Sequence, residues 1–179
     1  MAPFLTSEHV YEAVAGGSRS FELGHTWDGA PLPCAVGLAV LDALRRDNLI
    51  EHVRERGARL RDEVEAALDG IDMVEQVRGF GYLLGISFVD PRDGTSWLPR
   101  ELRVAGRIDE AAFARDLISL STQPTRDGYA SDQTLFAPPF TTPEEDLSEM
   151  VSRFADAVRS VAKDLDAELS ATASAGGAS

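Results

Sequence analysis

The residues best able to do chemistry lie together near the start of the chain. Gly24-His25-Thr26-Trp27-Asp28-Gly29-Ala30-Pro31-Leu32-Pro33-Cys34-Ala35 is a loop of small and polar residues running into an apolar helix. Thr26 brings a hydroxyl just ahead of the helix start. The first N–H groups of a helix lack internal partners and the dipole is positive there, so the place suits an anion. On spacing alone Thr26 is a turn residue, because Gly, Pro and Asp ahead of a helix commonly only turn the chain. His25 reads as an orienting hydrogen-bonder rather than a catalytic base.

Other reactive side chains are few. Lys163 is the single lysine, so any chemistry that needs a lysine amine has one candidate. It stands beside Asp164 and Asp166 and reads as a solvated charge. Cys34 is the only cysteine, which excludes an internal disulfide and a cysteine zinc cluster. His9 and His52 have no metal-ligand spacing with each other or with Cys34. Asp127 and Asp132 flank a glycine loop without a calcium-loop pattern. Arg78 reads as a tie between strand and loop, with a substrate role as the alternative.

Charge narrows the partners. Thirty acidic residues against 17 basic give −13, which disfavours nucleic acid and anionic membrane surfaces alike. The first residues have no basic or apolar leader pattern, and no apolar run reaches membrane-span length, so the cytoplasm is the expected compartment.

The elements that position these residues follow from periodicity. A short helix is expected over Ser7–Val14 with Ser7 as cap, broken by Gly16-Gly17-Ser18. Pro33 to Arg46 reads as a helix apolar over much of its surface, which calls for cover on more than one side. Leu49 to Leu68 carries the stripe Leu49, Val53, Gly57, Leu60, Val64 and Leu68, with Asn48 and Glu51 as an N-cap pair. Met73–Val77 and Tyr82–Val89 read as strands joined by a turn or bulge at Arg78-Gly79-Phe80-Gly81. Residues 90–94 are a loop and 95–107 irregular. Asp109 then caps a helix to about Leu120, with Phe113 and Leu117 on one face. Gln123–Gly128 is a turn-rich loop, and Thr134–Phe136 a short strand ended by Pro138-Pro139. Thr142, Pro143 and Glu145 open a last helix with the stripe Leu147, Val151, Phe154, Val158, Val161 and Leu165. Residues 170–179 read as a disordered tail. The sum is an α+β fold: helices around a small antiparallel sheet.

The order of these pieces resembles the C-terminal part of class III, pyridoxal-phosphate-dependent aminotransferases of fold type I. Three stretches carry the resemblance over roughly residues 20–165. They are Gly24–Pro31 with Cys34-Ala35, then Val77-Arg78-Gly79-Phe80-Gly81-Tyr82-Leu83-Leu84-Gly85-Ile86, and finally Gln123–Gly128 with Leu135-Phe136-Ala137-Pro138-Pro139-Phe140-Thr141 and Glu144-Glu145. The resemblance implies that residues 1–32 are a remnant of the large domain with the phosphate-site loop. Residues 33–68 would be interdomain helices, and 69–169 the small C-terminal domain. Thr26 would bind the phosphate of pyridoxal 5'-phosphate in the other subunit's active site, with His25 and Trp27 beside it.

The family's Gly-rich phosphate loop, pyridine-pairing aspartate and Schiff-base lysine precede this loop, and no lysine stands upstream of Thr26. Transamination by this polypeptide alone is therefore not expected, since the reaction needs that amine. Leu135 occupies the place where many members have an arginine for the substrate carboxylate, so an ω-amine fits better than an α-amino acid. Ala30 replaces a common histidine and Pro33 a common alanine. Two readings follow. In the first, the chain contributes Thr26 to a composite transaminase site, as a homodimer or with a complementing N-terminal chain, acting on a small amine and a keto acid. In the second, it is an inactive remnant or interaction module that associates with a full-length relative.

Overall fold

The computed structural model describes residues 5–20, 24–122 and 131–176, with the backbone alone over 171–176. It separates into two compact units, residues 1–49 and 50–179. The expected Gln123–Gly128 loop lies outside the described residues.

The first unit holds α1 (Glu8–Gly16) and α2 (Pro31–Arg46). The Ser7 backbone is extended, but its carbonyl, not its side chain, meets the helix start, accepting the N–H groups of Val10 and Tyr11. Helix α2 begins two residues before Pro33, at Pro31. It has the broad apolar surface expected of it, and Leu32, Val36, Leu38, Val40 and Leu41 are all exposed. Asn48 takes a left-handed backbone (φ 48°), a conformation that ends a helix. Its expected partner Glu51 is instead ion-paired with Arg54.

In the second unit, α3 (Leu49–Leu68) buries the stripe Val53, Gly57, Leu60, Val64 and Leu68. Strands β1 (Val74–Phe80), β2 (Leu83–Phe88), β3 (Leu120–Thr122) and β4 (Gln133–Phe136) form one antiparallel sheet in the order β1-β2-β4-β3. Alternation sends Val77, Leu84, Ile86, Phe88 and Phe136 to one face, where they join a single core with α3, α4 (Val104–Phe113) and α5 (Glu144–Gly176). Each such large apolar side chain contributes about 1.5–3 kcal/mol on burial. The opposite face carries Arg78, Phe80, Leu83, Leu120 and Leu135, all exposed.

Strand β1 runs on through Phe80, which pairs with Leu83, so the turn is Gly81-Tyr82 rather than Arg78 to Gly81. Gly79 (φ 117°) and Gly81 (φ 59°) supply the backbone that this hairpin needs. The middle of helix α3 packs closely against it: a Cβ on Gly57 would stand 2.3 Å from the Gly81 Cα. Arg61 adds a hydrogen bond from Nη2 to the Val77 carbonyl (3.0 Å).

The largest departure is α4. It starts at Val104, inside the stretch expected to be irregular, and ends at Phe113. Arg103, just before it, is left-handed (φ 49°) and gives no side-chain cap. The cap comes from Asp132, whose Oδ1 accepts the Ala105 N–H at 2.8 Å. Asp109 lies mid-helix, where its carboxylate accepts the Ser119 and Ser121 hydroxyls (2.5 and 2.7 Å). Asp116 (φ 58°) turns the chain out of the helix, so Leu117 reaches the core while Phe113 is exposed. Helix α5 opens at Glu144, one residue later than expected: the Leu147 N–H donates to the Pro143 carbonyl (3.0 Å), and the Thr142 hydroxyl, instead of accepting a helix N–H, donates back to the Pro139 carbonyl (2.8 Å). It continues to Gly176, correcting the tail expected from Ser170. Alanine, frequent in that stretch, is the best helix former.

Asp132 is almost wholly buried, and among the described residues its Oδ2 has no hydrogen-bond partner. Burial holds its pKa above the ordinary carboxylate value, against the pull of the Ala105 N–H. The folded state therefore keeps a proton that the unfolded state releases, and stability falls as pH rises from the ordinary carboxylate range through the raised value. Asp132→Asn retains an oxygen for Ala105 but cannot ionise. It is expected to gain on the wild type across that window, read as the difference in urea midpoints between about pH 4 and pH 8.

Candidate functional site

The loop ahead of α2 is shaped by its own hydrogen bonds. The His25 N–H donates to Asp28 Oδ2 (2.8 Å), and the Asp28 N–H donates back to the His25 carbonyl (3.0 Å). The Ala30 N–H closes on the Trp27 carbonyl (3.2 Å), past a left-handed Gly29 (φ 68°). His25, Thr26 and Trp27 thus stand on an exposed tip, with Trp27 76% exposed.

The helix start behind the tip is a poorer anion site than its position implies. Pro31 and Pro33 carry no N–H, and the Cys34 N–H is bonded to the Ala30 carbonyl (3.2 Å). Only Leu32 remains as an N–H donor in that turn. The amide of His25 is likewise committed, to the Asp28 carboxylate. The donor set therefore narrows to the Thr26 hydroxyl and the backbone of the tip. It fits one edge of a phosphate and not a whole pyridoxal phosphate. The loop's carboxylate is spent on His25, and Lys163 lies exposed on α5 in the other unit.

On the sheet, Arg78 ties strand to strand rather than strand to loop. Its guanidinium donates to Gln133 Oε1, linking β1 to β4 across β2. Leu135 follows on β4, on the same open face and 37% exposed.

Elsewhere the second unit buries polar atoms that sequence reading missed. Tyr82 is buried with its hydroxyl unpartnered among the described residues, its ring edge-on to His52 and Phe140. Burial raises the pKa of that hydroxyl. No local sequence signal marks it, because its neighbours come from α3 and from the segment before α5. No helix among the described residues is long and apolar enough to cross a membrane.

The family model for class III aminotransferases matches residues 1–158. The chain belongs to the class III aminotransferases. A diaminobutyrate–2-oxoglutarate transaminase of Halomonas elongata is 34% identical over 168 residues, covering 92% of this chain and 34% of that protein. The uncharacterized aminotransferase YodT of Bacillus subtilis is 30% identical over 165 residues, covering 92% of this chain and 37% of its own length. Among solved structures, a transaminase from work on ancestral reconstruction superposes with a TM-score of 0.76 at 29% identity, over 88% of this chain and 34% of that one. This class III aminotransferase chain therefore spans about a third of the length of the relatives it matches. The resemblance brings pyridoxal phosphate as the family's cofactor. Two aminotransferase structures from Vibrio fluvialis, alike in fold, are a PMP-bound and a PLP-bound form.

Proposed function

We propose that this chain is the C-terminal part of a transaminase moving an amino group between a small amine or amino acid and a keto acid, in the cytoplasm. Residues 1–32 carry the phosphate-site loop, 33–68 the interdomain helices, and 69–169 the small domain. In a dimer, or with a complementing N-terminal chain, the Thr26 hydroxyl donates to the cofactor phosphate of the neighbouring site, and the backbone beside His25 and Trp27 lines it. The Schiff-base amine comes from outside this chain, so the chain alone turns nothing over. The observation that carries the reading is the exposed Thr26 tip, set by the Asp28–His25 bonds directly ahead of α2 within the family match.

The test is to co-express this chain with the N-terminal segment of a class III relative that ends ahead of its own equivalent loop. Retained pyridoxal phosphate is then measured by absorbance. Thr26→Val is expected to weaken retention by about 10- to 100-fold, because a hydrogen bond to a charged group contributes roughly 1.5–3 kcal/mol. Equal retention by both forms would remove Thr26 from the site. The second reading, an interaction module, draws on the exposed apolar side chains of α2. It predicts tight association with a full-length relative and no effect of Thr26→Val on cofactor retention.

A further inference from the structure

We infer that Asp28-Gly29 is a self-modifying step, at which the folded chain converts to an isoaspartyl linkage without an enzyme. The sequence has four Asp-Gly steps, of which Asp28-Gly29, Asp69-Gly70 and Asp93-Gly94 lie among the described residues. Asp-Gly is a reactive pair because glycine neither shields its own nitrogen nor restricts the turn that the reaction needs. The Gly29 nitrogen attacks the Asp28 Cγ. An N–C bond forms, and a carboxyl oxygen leaves as water with the carboxyl proton and the amide proton. The product is a cyclic imide. Water opens it at Cγ to restore aspartate, or at the Asp28 main-chain carbonyl to leave the chain running through Cγ. Nothing is oxidised or reduced, and the water lost is regained.

The fold sorts the three steps. At Asp28-Gly29 both residues are exposed, and the Gly29 N–H has no partner among the described residues. Nothing lies within 4 Å of where a Gly29 Cβ would be. One long bond, from the Ala30 N–H to the Trp27 carbonyl (3.2 Å), closes the turn across the step, and Trp27 beside it is exposed. Such a turn opens at little cost. Asp93-Gly94 is locked on both sides. Hydrogen bonding from Ser96, and then from Thr95, holds the Asp93 carboxyl well below the usual carboxylate range, leaving less of the protonated form that the reaction consumes. The Gly94 N–H donates to the Asp90 carbonyl (2.9 Å). Asp69-Gly70 also has an open, left-handed glycine (φ 74°), but its flanks are anchored: Leu68 is buried and Ile71 packs on the core. At position 28 the isoaspartyl product has a longer main chain and a shorter carboxylate arm. That arm no longer reaches the His25 N–H, which Asp28 Oδ2 holds at 2.8 Å, so the turn that presents Thr26 opens. What this costs in cofactor retention rests on the transaminase reading; the reaction at Asp28 does not.

The test keeps the full chain in ¹⁸O-labelled water near neutral pH, digests samples in ordinary water, and locates the label by fragmentation in a mass spectrometer. Each passage through the imide leaves one ¹⁸O on the aspartyl residue. Asp28 is expected to gain label at least tenfold faster than Asp69 or Asp93, with an isoaspartyl peptide accumulating beside the aspartyl one. In urea the three rates are expected to come together, because the reacting pair is the same and the folded flanks are gone. Asp28→Glu, which would need a larger ring, is expected to carry no label at position 28. Label reaching Asp69 or Asp93 as fast as Asp28 in the folded chain, a ranking unchanged in urea, or label persisting in Asp28→Glu would overturn the assignment. Because no cofactor is present, such a failure leaves the Thr26 retention experiment standing, and failure of that experiment leaves this one intact.

Discussion

Gly79→Ala is expected to abolish the folded state of the second unit, or to leave it barely populated. The residue sits at φ 117°, a region that side chains avoid. The new methyl would stand 2.1 Å from the Leu83 carbonyl oxygen and 3.1 Å from the Leu84 Cα. Both obstacles are backbone of the paired strand, so no rotamer change relieves them. Either the β1–β2 hairpin opens or Gly79 leaves its conformation, and both break the ladder beside Leu84 in the core. A loss of about 4 kcal/mol or more follows, exceptional for one methyl group and a large share of a domain's total of roughly 5–15 kcal/mol. Urea unfolding followed by circular dichroism measures it. A midpoint near that of the wild type would show that the hairpin closes differently.

The second large effect is one of sign. Alanine in place of a helix glycine normally stabilises by up to about 1 kcal/mol. Gly57→Ala is expected to destabilise by about 2–4 kcal/mol, because its methyl would lie 2.3 Å from the Gly81 Cα and 2.8 Å from the Gly81 oxygen. Helix and hairpin would have to separate, opening the core next to Val53 and Leu60. Ala58→Gly, one position on and exposed, is the control and should cost about 1 kcal/mol by propensity alone. Were Gly57→Ala the milder of the two, the close approach would be disproved.

What could be read from the sequence depended on whether its cause was local. Helices α3 and α5 bury their stripes in one core, so period alone placed them. The β1–β2 pair was legible for the same reason, though its turn shifted to Gly81-Tyr82 because Phe80 still pairs with Leu83. Helix α4 was not legible. Its cap, Asp132, is 27 positions away in sequence. The nearest local capping residue, Asp109, is engaged by Ser119 in the connection after the helix and by Ser121 on β3. At the loop, the sequence marked Thr26 but overcounted donors: the two prolines and the Asp28–His25 bond subtract most of what a helix start offers. Arg78 was visible as a residue, but only strand register shows that Gly85, Leu135 and Leu120 share its row.

The remote cap on α4 also bears on how the chain is made. Residues 104–113 leave the ribosome well before Asp132, and before the α5 side chains that α4 packs against. Until then the helix start has no acceptor for Ala105, and its buried face has no partner. Synthesis must therefore finish most of α5 before α4 can settle. A nascent chain stalled earlier exposes Val104, Ile108 and Ala112 to whatever chaperone waits at the exit.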